Sequence, residues 1–195
     1  LKAALDDYPR DDHRHGIIHD CLPTPEGIAV CRDYHIQMPM QSAFIGWKQE
    51  PDDYLERILG HDRLEKLNPI RTFRDNGIVV SFGSDAPCTT PDPIAWMDRA
   101  VNNGNAGQAV SVQDALRMCT YNGAWAAFDE QERGSLEAGK IADMAVLSEN
   151  PYTVPKDKLS CLRVERLYLG GRPYESCREN ILPMMLRGLT SRNKA

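Results

Sequence analysis

Residues 78–82, Ile-Val-Val-Ser-Phe, constrain this chain more than any other stretch. The run is almost continuously apolar and rich in β-branched side chains. A strand with one wet face would alternate apolar and polar residues. A run without alternation reads instead as a parallel strand covered on both faces. Parallel strands need long crossover connections, usually helices. The chain supplies them. Thr24-Pro25, Asn68-Pro69 and Asp92-Pro93 each place an N-capping side chain before a proline at the first helical position. Ser111 followed by Asp114 reads as a capping box, and Gly77 and Gly104 mark helix ends. Ile70 and Phe73, then Ile94, Met97 and Val101, fall at helical spacing. Strand-like segments at residues 16–18 and 35–38 precede the run at 78–82. The order strand, helix, strand, helix, strand, helix predicts an α/β protein with a parallel sheet. Residues 41–60 form a long connection carrying a short helix at 53–59, and connections of that length tend to be functional.

The grammar changes after residue 133. Residues 134–140 are turn-rich, 142–147 and 163–169 are strand-like, and Gly170-Gly171 reads as a hairpin turn into 172–174. Three parts are expected: an α/β body at 1–133, a small β segment at 134–175, and a basic, partly apolar tail at 176–195. The tail reads as a terminal helix or a partly disordered end. The first residues, Leu1 to Asp7, read as the middle of a helix without an initiator Met. The expectation is therefore a portion of a longer protein.

The formal net charge is −5, with both signs mixed along the chain. No long basic run offers the electrostatic footprint of a nucleic-acid binder. A mildly acidic chain gains little from an anionic membrane surface. No apolar stretch approaches the roughly 18–20 residues that span a bilayer. The six cysteines, Cys21, Cys31, Cys88, Cys119, Cys161 and Cys177, are widely and irregularly spaced. They read as reduced thiols of a cytoplasmic protein rather than a disulfide framework.

Parallel α/β proteins place their chemistry at the carboxyl ends of strands. That rule nominates His19, the Gln41-Ser42 pair and Ser84-Asp85. An imidazole nitrogen and a carboxylate oxygen are standard ligands for zinc and related ions. Gly83 lets the chain turn sharply before Asp85, and Pro87 stops the strand from continuing. Plainer readings stand beside this one. An Asp after a strand is as often a turn residue or helix cap, and a lone His at a strand end is commonly structural. His13, His15, His35 and His61 read as surface or packing residues. Cys88 has no neighbour that would activate it. Trp47, Trp96 and Trp125 read as packing residues.

A resemblance shifts this balance. Residues 80–87, Val-Ser-Phe-Gly-Ser-Asp-Ala-Pro, resemble the strand-8 signature of the amidohydrolase superfamily. More specifically they resemble the branch of metal-dependent hydrolases that includes N-substituted formamide deformylase. Residues 14–19, Arg-His-Gly-Ile-Ile-His, resemble that branch's strand-6 motif. Residues 134–147 resemble the stretch where the chain leaves the barrel, and 164–174 the closing hairpin of a small β-sandwich. The resemblance implies the C-terminal part of a (β/α)8 TIM-like barrel, strands 6–8, followed by part of that sandwich. It implies one or two divalent metals, zinc foremost, with His19 as a ligand and Asp85 as both ligand and catalytic proton shuttle. Metal-activated water would then cleave a carbon–nitrogen bond, other than a peptide bond, in a small amide-like substrate. Two departures stand out. Ile18 occupies the place where the branch has Glu, and the strand-1 His-x-His, strand-4 and strand-5 ligands have no counterpart. The expectation is a fragment that associates with the missing N-terminal portion or with itself. A non-catalytic scaffold or interaction module of the same family is the alternative.

Overall fold

The computed structural model describes residues 1–174, so the expected tail at 176–195 lies outside the described residues. Two short helices, α1 (Lys2–Asp7) and α2 (Pro25–Asp33), precede strand β1 (Met38–Met40). A single 3-10 turn at Ser42–Phe44 leads into α3 (Asp52–Leu59), α4 (His61–Leu64) and α5 (Ile70–Asp75). Strand β2 (Val80–Phe82) is followed by α6 (Pro93–Val101), α7 (Val112–Cys119) and α8 (Tyr121–Ala126). Strands β3 (Met144–Leu147), β4 (Val164–Leu169) and β5 (Arg172–Pro173) then form an antiparallel sheet, with a second 3-10 helix at Lys156–Cys161.

Capping chemistry sets three of the helix starts. Thr24 Oγ1 accepts from the Gly27 N–H at 3.1 Å. The Asp92 carboxylate accepts from Ile94 and Ala95 N–H at 3.1 and 3.2 Å. Ser111 Oγ accepts from the Asp114 N–H at 3.0 Å. Losing such a cap typically costs about 1 kcal/mol. Asn68 does not cap α5 as expected. It adopts φ 52°, its N–H donates to Cys21 O at 2.7 Å, and Pro69 takes the cap position without a side-chain bond. The backbone bond across to Cys21 decides the Asn68 conformation.

β1 lies in the middle of a parallel row. On one side Met38, Pro39 and Met40 pair with Val80, Ser81 and Phe82. On the other, Gly16 bridges Gln37, the Ile17 N–H donates to Gln37 O at 3.0 Å and the His19 N–H to Pro39 O at 3.4 Å. The expected strand at 16–18 is thus a single bridge. Arg14 and His19, at φ 46° and 61°, turn the chain out of extended geometry at either end of it. The expected strand at 35–38 shifts to 38–40 and runs through Pro39. Pro39 has no N–H to donate, and the neighbouring segment supplies the donors on that side.

Side-chain alternation divides β1 and β2 between two faces. Ile36, Met38, Met40, Ile78 and Val80 face the helices and are buried with Phe73, Met97, Ala115 and Met118. Leu159 and Leu162, from beyond β3, join the same core. The opposite face carries Gln37, Gln41 and Ser81, which are also buried. Gly16 is required by the close pairing. A Cβ there would meet the Pro39 ring at 3.1 Å and Gln37 Cγ and O at 3.0 and 3.2 Å.

Arg14, just before this row, ties it to α8 and the residues that follow it. Its guanidinium donates to Glu130 Oε2 and Oε1 at 2.7 and 2.8 Å and to the Asp12 carboxylate at 2.8 and 2.9 Å. It also lies over the rings of Trp125 and Phe128, 4.6 and 4.2 Å from their centres. The Arg14 charge holds the Glu130 carboxyl below the ordinary carboxylate range.

Two outcomes follow. Gly16→Ala forces the 16–19 segment off β1 and is expected to cost about 1–3 kcal/mol in urea unfolding, as overpacking does. A loss indistinguishable from zero would contradict the close approach. The Glu130 carboxyl has a lowered folded pKa, so its pairing stabilises the fold above about pH 4.5, and that contribution disappears as pH falls through the lowered value. Glu130→Gln is therefore expected to lower the urea midpoint at about pH 7 and to converge on wild type as pH falls through the lowered carboxyl value.

Candidate functional site

Both nominated residues hang from β1 at neighbouring positions. The His19 N–H donates to Pro39 O, and the Gly83 N–H donates to Met40 O at 3.1 Å. This registry puts the two segment ends level with each other at the carboxyl end of the row. His19 Nε2 lies 3.5 Å from Asp85 Oδ2, with the side chains 38% and 44% exposed. The contact is open to a ligand.

The backbone aims both side chains by the same device. His19 has φ 61° and Asp85 φ 52°, both in the left-handed region. For residues other than glycine this region costs about 1–2 kcal/mol, less for Asn and Asp. Such conformations persist only where the surroundings enforce them, and they cluster at functional sites. For Asp85 the enforcing contacts are local. The Cys88 N–H donates to Asp85 O at 2.8 Å, the Ala86 N–H donates to Ser84 Oγ at 3.2 Å, and the Thr89 hydroxyl donates to Ser84 O.

Phe44 completes the setting. Its ring stacks on the His19 imidazole, centroids 5.7 Å apart and planes inclined by 21°. Trp47 packs against Phe44 at 5.0 Å. Phe44 ends the 3-10 turn whose Ser42 is fully buried, with its hydroxyl donating to Trp96 O at 2.9 Å. Ser42 is thus an anchor rather than a residue facing the site. Phe44 also walls a cavity of about 790 Å³ between residues 45–68 and α6, whose lining includes Leu55, Leu67, Asp92 and Arg99. Sequence reasoning did not single out Phe44. The available signal was an aromatic residue just past a strand end, at the start of a long connection.

Gln41, at the strand end between His19 and Asp85, is only 7% exposed. Its Oε1 is buried without a partner among the described residues. An unsatisfied buried acceptor costs about 1–3 kcal/mol. Gln37, at the other end of β1 on the same face, donates through Nε2 to Arg14 O at 2.6 Å.

The remaining histidines lie elsewhere. His13 Nε2 is 2.8 Å from Tyr34 O, and its ring stacks on His15 at 4.8 Å. His61 pairs with Glu56 and Glu65 at 3.2 and 3.5 Å on the surface. Among the described residues the five thiols, Cys21, Cys31, Cys88, Cys119 and Cys161, are free. Burial pushes the Cys119 thiol up to about 12, which keeps it protonated and unreactive. Among the described residues no group of three or more His, Cys, Asp or Glu could hold a metal. His19 and Asp85 offer two donors of the kinds that bind zinc and related ions.

Residues 1–174 match the family described as Amidohydrolase family. The chain belongs to the amidohydrolase family. It is 37% identical over 132 residues to N-substituted formamide deformylase of Arthrobacter pascens, covering 64% of this chain and 22% of that protein. Two solved structures share its fold. An uncharacterized metal-dependent hydrolase from Pyrococcus horikoshii OT3 aligns with TM-score 0.66 at 23% identity, over 80% of this chain and 33% of that one. An uncharacterized metal-dependent hydrolase from Pyrococcus furiosus aligns with TM-score 0.64 at 24% identity, over 77% and 31%. The amidohydrolase chain therefore spans between about a fifth and a third of the length of these relatives.

The left-handed geometry of His19 generates a stability test. His19→Asn, which tolerates that conformation, is expected to stay within about 0.5 kcal/mol of wild type. His19→Val, which does not, is expected to lose about 1–2 kcal/mol. Equal urea midpoints for the two variants would refute a left-handed residue 19.

Proposed function

We propose that the full-length amidohydrolase is a metal-dependent hydrolase of carbon–nitrogen bonds other than peptide bonds, and that His19 and Asp85 serve its centre. The observation that carries this reading is the 3.5 Å approach of His19 Nε2 to Asp85 Oδ2 from two segments aligned on one strand. In this reading residues 16–19, β1 and β2 correspond to strands 6–8 of a (β/α)8 barrel. Residues 1–133 belong to that barrel, 134–175 contribute to a small β-sandwich, and 176–195 follow as a tail. Among the described residues no helix is long and apolar enough to cross a membrane. The free thiols support a reducing, cytoplasmic setting.

The donor set fits a divalent cation. Imidazole nitrogen suits zinc and its neighbours, and a carboxylate oxygen adds compensating negative charge. Among the described residues the only ion-pair partner of Asp85 is His19, so its carboxylate is not committed to a structural cation. A divalent cation held there, zinc foremost, would supply Lewis-acid polarisation of a carbonyl and a more acidic water. The Asp85 carboxylate would take the proton as the water oxygen bonds to the carbonyl carbon. It would return that proton to the nitrogen as the carbon–nitrogen bond breaks. Phe44, stacked on His19, fixes the plane of the imidazole and shields one face of it. The formamide deformylase relative supports a small amide as substrate, and N-substituted formamides are the class to try first.

The test uses the full-length protein purified without chelators. Elemental analysis is expected to find at least one divalent metal, and chelation followed by zinc is expected to abolish and restore amide hydrolysis. Asp85→Asn is expected to lower kcat about 10²–10⁴-fold, the usual contribution of a proton shuttle. A metal-free wild-type protein, or an Asp85→Asn enzyme of unchanged kcat, would sink the proposal and leave the scaffold alternative.

A further inference from the structure

Helix α6 grips the turn that carries Phe44, and it does so on both sides of that residue. Before Phe44, the Ser42 hydroxyl donates to Trp96 O at 2.9 Å. After it, Arg99 Nη1 donates to Ile45 O and, at 2.9 Å, to Gly46 O. Trp96 and Arg99 are three residues apart and so neighbours on one helical face. The helix is a firm support, because Met97, Ala100 and Val101 seat another side of it in the core. Gly46 fits the arrangement in two ways. It adopts φ 60°, and a Cβ there would meet Arg99 Nη1 at 3.2 Å. The half-buried guanidinium thus reaches past Asp92 and Asp98, which line the same cavity, to bond two successive carbonyls.

We infer that Arg99 is a positioning residue: it clamps the chain at residues 45–46 and thereby holds the Phe44 ring stacked on the His19 imidazole. The inference rests on the reading of His19 as a metal ligand beside Asp85. Phe44, Ile45, Gly46 and Arg99 together wall the cavity of about 790 Å³. Among the described residues the turn therefore has open space on that side, and the two bonds from Arg99 keep it from swinging there. The Phe44 ring faces the imidazole at 5.7 Å, and a displaced ring would no longer fix the imidazole plane. An imidazole nitrogen directs its lone pair within that plane. The tilt of the ring thus decides whether Nε2 points to the place beside Asp85 Oδ2. Groups that orient a metal-ligating histidine tune its affinity for the metal.

The experiment measures the zinc dissociation constant of the full-length protein, stripped of metal, by competition with a chromophoric chelator. Arg99→Met keeps the aliphatic stem, removes the donors, and is expected to weaken zinc binding about 10–100-fold, the usual range for losing a group that orients a ligating histidine. Phe44→Leu is expected to weaken it within the same range. The double variant is expected to match Phe44→Leu to within about twofold, because Arg99 acts through Phe44. Arg99→Lys is expected to recover most of the loss, since both bonds leave a single nitrogen and an ammonium can imitate it. A double variant that multiplies the two single losses overturns the inference, because a general structural role of Arg99 persists without Phe44. Wild-type affinity in Arg99→Met or in Phe44→Leu overturns it, as does an Arg99→Lys protein as weak as Arg99→Met. If Arg99→Met does not fold, Gly46→Ala, which crowds the same nitrogen, takes its place in the cycle with Phe44→Leu and is judged in the same way. A wild type that binds no zinc overturns the reading of His19 as a ligand and this inference with it. A zinc-binding wild type beside an insensitive Arg99→Met overturns the inference alone.

Discussion

The pairing of β1 on both sides is the constraint on which everything else depends. Only three residues form the regular strand, yet they accept hydrogen bonds from two segments distant in sequence. Pro39 O takes the His19 N–H, and Met40 O takes the Gly83 N–H. Those two bonds set the level at which each segment ends. Without them the left-handed turns at His19 and Asp85 would aim side chains at unrelated places. The helices matter to the site chiefly by holding the other face of this strand. Met38 and Met40 are 0% and 1% exposed and lock β1 against Phe73 and Met97.

Much of this was legible in the sequence. The unbroken apolar run at 78–82 specified a parallel strand, and Thr24, Asp92 and Ser111 announced helix starts that the hydrogen bonds bear out. The amidohydrolase resemblance is borne out by the family match. What the sequence did not reveal has a common physical character. Asn68 looked like a cap because local chemistry favours it there, but a backbone bond to Cys21, from a distant segment, took precedence. The segment at 16–18 looked like a strand because its composition is right. Composition does not show that Arg14 and His19 leave the extended region on either side. Phe44 owes its importance to neighbours brought in by tertiary folding, and no local pattern encodes those neighbours.

The site also shows where local stability and placement conflict. His19 and Asp85 each occupy a backbone region that glycine would fill at less cost. Among the described residues Gln41 keeps an acceptor unpaired where an apolar residue would be satisfied. These departures from local preference lie at one end of one short row. Sequences usually agree with their folds at every level except where function intervenes.

The Arg14–Glu130 contact bears on how the chain reaches this state. The two residues are separated by 116 positions. Their pairing closes almost the whole α/β body into one loop, and such closure carries an entropic cost before any contact repays it. The capped helices and the β4–β5 hairpin need only short-range contacts and can form early. The clamp needs both ends of the body already in place. It therefore belongs late in the folding sequence, and through the close pairing of Gly16 with Gln37 the His19 end of the row is secured late as well.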